Sequence, residues 1–491
     1  MKFVGQTPSV FIEKLPRGFL PVSVSALFAL LASKGAALIP VFSGDDFARF
    51  NDASSPSFFF AQGRFVEAIL TMTFRGAGVD TTAAWWPMLV LLFPVAAAAI
   101  ALSICRAGGA TAPLPWLCLA AVLAGTFPLW TELFYFRTST PVHLIGMLAV
   151  LGFLLVPLSG LGRLPQVALA TVAVAVALGS YQPLLGIFAA IVVAEWAEPS
   201  RPGEPTWWRP LPLGFVAGIL CYAFIALLMG KLFGGGLSNI EARGGLAPHD
   251  ELPARVWLGL RSLLLPFGAA DPTIGRPLFL SLLVFIAVVA LPALVTAPRR
   301  AIVALAVLLV ASAAALAPLL LLKILWFTSR AMLAGGFAVA ISLALIGAVL
   351  PRLALWPAVS VGAVLALLLA GASTQTLLDQ VRANRWDLAR SQAITHDVLR
   401  ANGGFLPRRV VLVGRIWGHG VRLRSWGMDR NIPMLAISWA VQGTFREATG
   451  MPWVVELQPA LPEVCAGRPL WPALEAIVVE PDVVHVCLHA P

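Results

Sequence analysis

Charged residues are scarce in this chain. Only 12% of its 491 residues are Asp, Glu, Lys or Arg, whereas 59% are hydrophobic and the mean hydropathy is +0.86. A soluble fold of this length needs a more charged surface, so this composition excludes a soluble globular protein. The apolar residues fall in runs of about 20, which is the length that crosses a bilayer as a helix. The sequence therefore predicts a polytopic membrane protein.

Acidic residues are the scarcer of the charged ones. The chain has 24 Asp and Glu against 34 Lys and Arg, which gives a formal net charge of +10. There is no basic stripe with interleaved aromatic residues, and the arginines are scattered between the apolar runs, so nucleic-acid binding is excluded. Membrane topology and an anionic substrate explain the positive charge.

Cysteine is also rare, with five residues in the chain. No HExxH motif and no pair of CxxC motifs occurs, so a zinc site is not indicated. Cys105, Cys118 and Cys221 fall in or near apolar runs and are interpreted as small buried residues. Cys465 and Cys487 lie in the C-terminal part, and in an oxidising compartment they are predicted to form a disulfide.

No internal repeat is present, and no small-residue cleavage pattern follows the first apolar run. That run, Phe19 to Phe42, is therefore predicted to be a retained helix rather than a signal peptide. Eleven spans are predicted, at 19–40, 83–105, 114–131, 141–160, 165–180, 183–197, 211–231, 277–297, 301–323, 331–350 and 354–372.

Short basic turns predict the orientation of these spans. They contain Arg106, Arg163, Arg201, Arg209, Arg299, Arg300 and Arg352, and Lys2, Lys14 and Arg17 precede the first span. The positive-inside rule places these residues in the cytoplasm. An odd number of spans then places the 373–491 tail on the outer face, which in a bacterium is the periplasm.

The tail differs in character from the rest of the chain. Residues 374–404 predict a helix that ends at a glycine pair, and "RRVVLVG" and "AIVVEPDVVHVCLH" predict short strands. The predicted fold is an all-α polytopic membrane domain of about 11 helices at 1–372, followed by a small extracytoplasmic α/β domain at 373–491.

Charges cluster where the first span ends. The stretch "FSGDDFARFNDASSPSFFFAQGRF" (42–65) contains Asp45, Asp46, Arg49 and Arg64. Outside the cytoplasm a sugar donor must come from the lipid phase, as a sugar on a polyprenyl phosphate. Transfer from it needs a carboxylate base for the acceptor hydroxyl and cationic groups for the phosphate, and this stretch offers both. The alternative is that the charges only solvate a helix end.

Four motifs resemble those of a known family. "GDDFARF", "QGRFVEAIL", "FPLWTELFYFRTSTP" (127–141) and "GSYQP" (179–183) follow one another in the chain, and all are predicted to lie on the outer face. Together they resemble motifs of the Gtr-type O-antigen glucosyltransferases, which have GT-C architecture. The resemblance covers roughly residues 40–190. It implies a membrane glycosyltransferase that moves a hexose, with glucose favoured, from a polyprenyl phosphate to a glycan such as O-antigen or lipopolysaccharide.

The resemblance also implies roles for individual residues. Either Asp45 or Asp46 is the catalytic base, with Asp45 favoured because it directly follows the flexible Gly44. The expected substrate-binding residues are Arg49, Gln62, Arg64, Glu132, Tyr181 and Gln182. Arg330 lies where the ninth predicted span exits and is expected to pair with the lipid phosphate. Four of these residues have a structural alternative: a helix cap for Glu132, packing for Tyr181 and Gln182, and an interfacial anchor for Arg330.

Several alternatives stay open at this level. A flippase or transporter of lipid-linked sugars would place its charges near the middle of the membrane, and a glycan-binding protein would act through its tail. No cofactor is required; two adjacent aspartates could hold a divalent metal, but two oxygen ligands are thin support. The expected partners are the lipid donor, the glycan acceptor and membrane lipids, with no nucleic acid, at the bacterial inner membrane.

Overall fold

The computed structural model describes most of the chain. The described residues are 14–49, 56–79, 81–197, 209–233, 247–269, 271, 273–321, 327, 329–416, 423–425, 431–458 and 463–488. The chain forms two compact units. The first comprises Met1–Ala36, Pro56–Phe134 and Ser139–Thr374, and the second Ala37–Ser55, Tyr135–Thr138 and Gln375–Pro491.

Helices dominate the chain. In chain order they are α1 (Phe19–Lys34), α2 (Gly44–Arg49), α3 (Pro56–Ala61), α4 (Phe65–Gly76), α5 (Thr81–Gly108), α6 (Leu114–Thr126), α7 (Thr131–Tyr135), α8 (Thr140–Leu155), α9 (Arg163–Ser180), α10 (Leu185–Ala194), α11 (Pro210–Phe233), α12 (Leu252–Arg261), α13 (Gly275–Thr296), α14 (Pro298–Leu321), α15 (Ala334–Gly347), α16 (Arg352–Ala401) and α17 (Val441–Thr449).

The helices confirm a multi-pass membrane protein but not the predicted count of eleven spans. Within the described residues, nine helices are long and apolar enough to cross a bilayer, or ten if a bent pair counts as one span. That pair, Leu114–Thr126 with Pro128–Tyr135, bends by 50° at a proline. The span predicted at 183–197 is a short apolar helix, Gln182–Ala197, which is about 24 Å long and falls short of the bilayer core. Whether the number of spans is odd or even depends on the bent pair and on the short helix, so the side of the membrane on which the tail lies stays a prediction.

Small residues let α15 pack closely inside the first unit, where 94% of the residues in the span Arg330–Gly347 are buried. A Cβ atom on Gly335 would lie 1.7 Å from the carbonyl oxygen of Pro266, and one on Gly347 would lie 1.8 Å from the Trp116 ring. Without these glycines the neighbouring backbone could not approach so closely. The segment before α15, which contains Arg330, is therefore anchored to a tightly packed helix.

A buried lysine joins three helices of the same unit. The Lys34 ammonium, at the end of α1, donates to the carbonyl oxygen of Gly125 on α6 (2.7 Å) and to the Ser33 hydroxyl (2.9 Å). It also contacts the Ser373 hydroxyl on α16 at 3.4 Å. These contacts satisfy one of the last carbonyls of α6, which the helix itself leaves without a partner. These contacts fix α1 immediately before the chain enters the charged stretch.

The second unit contains a four-stranded sheet. Its strands are β1 (Arg409–Val413), β2 (Val454–Gln458), β3 (Ile477–Val479) and β4 (Val483–Cys487), in the spatial order β2-β1-β4-β3. β1 pairs in parallel with β2 and β4, and β3 pairs antiparallel with β4. Strands at the two predicted places are confirmed, whereas β2 was not predicted.

The core of this α/β part lies between the sheet and helices α16 and α17. Its buried side chains include Ile394 and Val398 from α16, Leu412 and Val486 from the sheet, and Phe445 from α17.

The predicted helix at 374–404 is the distal part of α16, which runs without a break from the last predicted span. The predicted Cys465–Cys487 disulfide is confirmed. Lys2 and Arg201, which are predicted to lie in the cytoplasm, are outside the described residues.

Candidate active site

The paired aspartates lie at the start of α2, in the second unit. Ser43 precedes the helix, and its backbone N–H and hydroxyl donate to Asp46 Oδ2 at 2.7 and 2.8 Å. The Asp46 N–H in turn contacts the Ser43 hydroxyl at 3.2 Å. This is a capping box, in which the cap residue and the third helical residue satisfy each other's donors. The "SGDD" sequence therefore folds locally into a helix start.

The second oxygen of Asp46 is held from another part of the chain. Thr138 donates to Asp46 Oδ1 through its backbone N–H (2.9 Å) and its hydroxyl (2.8 Å), from 92 positions away. Asp46 is fully buried. Four donors therefore bind the two oxygens of Asp46, and they hold its carboxylate against the helix start and the segment around Thr138.

Asp45 has a different environment from its neighbour. It lies in the first turn of α2 and is half-buried. Adjacent helical residues point in different directions, so Asp45 and Asp46 do not share the capping site. Arg49 ends α2, and its side chain lies outside the described part of the structure, so its expected role in substrate binding stays a prediction.

A buried arginine, Arg137, lies beside the capped turn. Its guanidinium stacks over the Phe42 ring, 4.1 Å from the centroid. It also lies within electrostatic range of the carboxylates of Asp46 and Glu447. Arg137 therefore adds a cation to the surroundings of the Asp45–Asp46 turn.

The ends of the turn are held by residues from the C-terminal part of the same unit. The amide of Asn384 bonds the backbone N–H and carbonyl of Phe42 at 2.7 and 3.0 Å. At the other end, a Cβ atom on Gly443 would lie only 1.9 Å from the carbonyl oxygen of Phe47. The Phe42 and Phe47 rings pack with Met434 and Ala440.

A second polar cluster belongs to the first unit and begins at the turn Gln62–Gly63–Arg64. The backbone N–H groups of Gln62 and Arg64 donate to the carbonyl of Phe59 at 3.1 and 2.9 Å. Gly63 has φ +71°, a conformation that side chains rarely adopt, and its Cβ position lies 2.9 Å from the Tyr222 hydroxyl. Glycine at this position lets the turn lie directly against α11.

This turn places Arg64 at the start of α4. The Arg64 guanidinium forms an ion pair with Glu67 one turn further on, and Glu67 is almost fully buried. The guanidinium also lies over the Phe59 ring, 5.4 Å from the centroid. Its side chain keeps 19% of its surface exposed. Arg64 is thus a partly accessible cation that already has one buried partner.

Gln182 and Tyr181 connect the turn to the rest of the cluster. The Gln182 amide donates to the carbonyl of Gln62 at 3.0 Å and to the Tyr222 hydroxyl at 3.2 Å. The hydroxyl of the buried Tyr181 donates to the carbonyl of Arg330 at 3.1 Å. The Tyr181 ring also meets His143 edge-on at 5.0 Å.

Glu132 completes this cluster. Its Oε2 accepts the backbone N–H of Arg330 at 3.2 Å, and its side chain is almost fully buried. Burial raises the pKa of the Tyr181 hydroxyl above its usual value, so this hydroxyl stays protonated and acts as a donor. Arg330, Glu132, Arg64 and Glu67 all act electrostatically on it. Two arginines and two glutamates therefore surround one tyrosine.

The structure thus divides the predicted site residues between two sets. Gln62, Arg64, Glu132, Tyr181, Gln182 and Arg330 come together in the first unit, and Asp45 and Asp46 lie in the second. Neither arrangement resembles a metal centre: among the described residues no group of three or more His, Cys, Asp or Glu side chains is placed to hold an ion. Asp46 in addition has its oxygens occupied by hydrogen-bond donors.

Four residues of these sets were not predicted from the sequence. Glu67 and Thr138 were part of quoted motifs but had no assigned role; the spacing of three from Arg64 was the local signal for Glu67. Tyr222 is one of only three tyrosines in the chain, and two of the three belong to this cluster. Arg137 was part of a quoted motif but had no assigned role. The capping-box pattern in "SGDD" was the available signal that Asp46 is structural.

Comparison with known proteins gives one family. The model of the family described as glucosyl transferase GtrII matches residues 36–351, which is well over half of the chain. No curated protein and no solved structure matches the chain. The match includes the predicted site residues from Asp45 to Arg330 and ends immediately before α16, so it contains neither α16 nor the sheet.

A substitution at Gly63 tests how the Arg64 turn is built. Gly63→Ala adds a methyl group at φ +71° and forces it against the Tyr222 hydroxyl. The matched control is Gly78→Ala, because Gly78 has φ +68° with nothing within 4 Å of its Cβ position. We expect backbone strain of about 1–2 kcal/mol in both variants and a clearly larger loss of stability in Gly63→Ala. Thermal unfolding in detergent measures this, and equal losses would contradict the close packing of the turn.

Proposed function

Because the chain belongs to the glucosyl transferase GtrII family, we propose that it transfers a hexose, glucose above all, from a polyprenyl phosphate to a glycan. The acceptor class is O-antigen, lipopolysaccharide or a similar lipid-linked glycan. The reaction takes place at the periplasmic face of the bacterial inner membrane. The observation that carries the proposal is the family match over residues containing a half-buried aspartate and a cluster of arginines.

The lipid donor is supported by the chemistry that the membrane leaves available. Activated nucleotide sugars are not present outside the cytoplasm, so the activated sugar must arrive on a lipid. The phosphate of such a donor is a good leaving group that needs no acid, but its negative charge must be stabilised. The partly accessible guanidinium of Arg64 and the neighbouring Arg330 suit the phosphate of this donor, which departs as a polyprenyl phosphate monoester.

Asp45 is the proposed general base. The acceptor oxygen forms a bond to C1 of the hexose, the bond from C1 to the phosphate oxygen breaks, and the electron pair leaves with the polyprenyl phosphate. The proton of the acceptor hydroxyl passes to the Asp45 carboxylate. Asp46 is proposed to hold the helix start, because its oxygens already accept four hydrogen bonds.

The remaining predicted residues are proposed to bind the donor. Glu132 and the amide of Gln182 suit sugar hydroxyl groups, since a carboxylate accepts and an amide both accepts and donates. Tyr181 offers a buried aromatic face and a hydroxyl that stays protonated. Gln62 is proposed to contribute to donor binding through its carbonyl, which accepts the amide of Gln182 and so fixes that side chain. Arg49 remains a proposed phosphate contact from the motif alone.

The donor class is tested by a direct transfer assay. The purified protein in detergent is given synthetic polyprenyl-phosphate glucose with O-antigen lipopolysaccharide, and the labelled product and the released polyprenyl phosphate are measured. We expect transfer from this donor and none from UDP-glucose, because the arginine cluster is proposed to serve a lipid phosphate. Transfer from UDP-glucose with no use of the lipid donor would contradict the proposal.

Substitution of the two aspartates separates their roles. We expect Asp45→Asn to lower the transfer rate by roughly 10²- to 10⁴-fold while the protein still folds, because an amide keeps the shape and hydrogen bonding of the carboxylate but not its basicity. Asp46→Asn places an amide group against donors that need an acceptor, so it should destabilise the protein by about 3 kcal/mol and reduce transfer as a consequence. Parent-level transfer by Asp45→Asn would refute the assignment of the base.

Substitution of Arg64 tests the phosphate contact. Arg64→Ala removes the charge, and loss of one charge-assisted contact of this kind costs about 3 kcal/mol, or roughly a hundredfold in rate. Arg64→Lys keeps the charge without the planar fork, so it should retain part of the activity. Arg75→Ala, at the exposed end of the same helix, is the control and should transfer normally. Equal, near-parent rates for both Arg64 variants would make Arg64 a structural anchor.

A further inference from the structure

We infer that Asn384, which lies beyond the family match, is a positioning residue that holds the Asp45 turn for the transfer reaction by binding the backbone of Phe42. The inference rests on the proposed function, in which Asp45 is the base. It assigns the C-terminal part of the second unit a role in the reaction, although the matched family model ends at residue 351.

The contact itself is two-sided. Asn384 Oδ1 accepts the backbone N–H of Phe42 at 2.7 Å, and its Nδ2 donates to the carbonyl of the same residue at 3.0 Å. The Gln380 amide donates to that carbonyl as well, at 3.0 Å. Asn384 and Gln380 are both almost fully buried. A side-chain amide here replaces the partner strand that a buried backbone group would otherwise require.

Phe42 leads directly into the catalytic turn. Ser43 follows it and caps α2 through Asp46, so the position of the Phe42 backbone is passed on to the first turn of the helix. At the end of that turn, Gly443 on α17 lies against the carbonyl of Phe47, where no Cβ atom would fit. Asp45 thus lies between two points that residues of the C-terminal part hold.

The face of α16 that makes these contacts is polar along its length. Gln380, Asn384 and Asp387 follow at spacings of four and three, which places them on one side of the helix. Gln380 Oε1 also accepts the N–H of Asn431 (3.2 Å), and Asp387 Oδ2 accepts that of Met434 (3.2 Å). Buried polar groups are unfavourable unless they are hydrogen-bonded, so an apolar face would serve simple packing better. The polar side chains on this face of α16 instead hold the backbones of Phe42, Asn431 and Met434 in place.

Precise placement matters for a general base, because proton transfer needs heavy atoms within about 2.6–3.2 Å. A displacement of about 1 Å in such a group costs up to roughly a hundredfold in rate. Release of the Phe42 backbone therefore affects the reaction through Asp45 and leaves the first-unit residues that are proposed to bind the donor unchanged. This predicts a specific pattern that a general loss of stability does not produce.

The test uses the full-length protein with Asn384→Ala and with the milder Asn384→Asp, which keeps an acceptor for the Phe42 N–H but cannot donate to its carbonyl. Gln392→Ala is the control, because this amide lies on the exposed side of the same helix and bonds the carbonyl of Ala448. Transfer from polyprenyl-phosphate glucose, its KM and hydrogen exchange of residues 42–47 are measured for each variant.

We expect Asn384→Ala to lower kcat by roughly 10- to 100-fold with little change in the donor KM, and Asn384→Asp to lower it less. Hydrogen exchange of residues 42–47 should accelerate in both, and Gln392→Ala should resemble the parent protein. In the Asp45→Asn background, Asn384→Ala should cause no further loss, since the group that it positions is already inactive.

Three results would overturn the inference. The first is a normal kcat in Asn384→Ala when Asp45→Asn is inactive, which leaves the proposed function intact. The second is unchanged exchange at residues 42–47. The third is a loss that multiplies with that of Asp45→Asn, because Asn384 would then act elsewhere. Should Asn384→Ala fail to fold, Asn384→Asp decides by the same three measurements. Parent-level transfer by Asp45→Asn would refute the proposed function itself.

Discussion

The carboxylate of Asp46 is the constraint on which the rest of the second unit's site depends. Its two oxygens accept four hydrogen bonds, two from Ser43 and two from Thr138, while the side chain is fully buried. A buried carboxylate without these donors would be strongly unfavourable. The turn that contains the aspartates can therefore form only when the segment around Thr138 is in place, which couples residues 43–46 to Thr138 within the second unit.

Much of the membrane part followed from the sequence, because a bilayer requires long apolar helices and hydropathy detects them directly. The predicted count of eleven spans is not confirmed at two places. Gln182–Ala197 is too short to be counted as a span, and the helix that ends at Thr126 is bent against the one that follows it. In the tail, β1, β3, β4 and the disulfide were predicted correctly. β2 was missed because "VVELQ" is short and half-buried, and its pairing with β1 comes from a distant part of the chain.

The site divides in the same way. The motifs singled out Glu132, Tyr181 and Gln182, and the position of Arg330 at a span exit singled out that residue; the structure brings these four together within the first unit. It did not predict partners that depend on long-range folding: Tyr222 for Gln182, Thr138 for Asp46, and Asn384, 342 positions from Phe42. The capping contact of Asp46 was accessible locally, since Ser43 and Asp46 have the spacing of a capping box. Adjacent acidic residues should be tested for capping before they are treated as a pair.

The pairing of Arg64 with Glu67 has a consequence for how a phosphate would bind under the proposed function. An arginine held in an apolar bundle without a counter-charge would be unstable, and the buried Glu67 supplies that charge when no donor is bound. An arriving lipid phosphate then needs to share a guanidinium that is already largely desolvated, rather than remove its water. Since a guanidinium has five N–H donors, it can retain Glu67 and still present a second edge to the phosphate. Glu67 would thereby set the orientation of Arg64 as well as its charge balance, which makes the Gly63 turn, the ion pair and the exposed edge of Arg64 parts of one preorganised anion site.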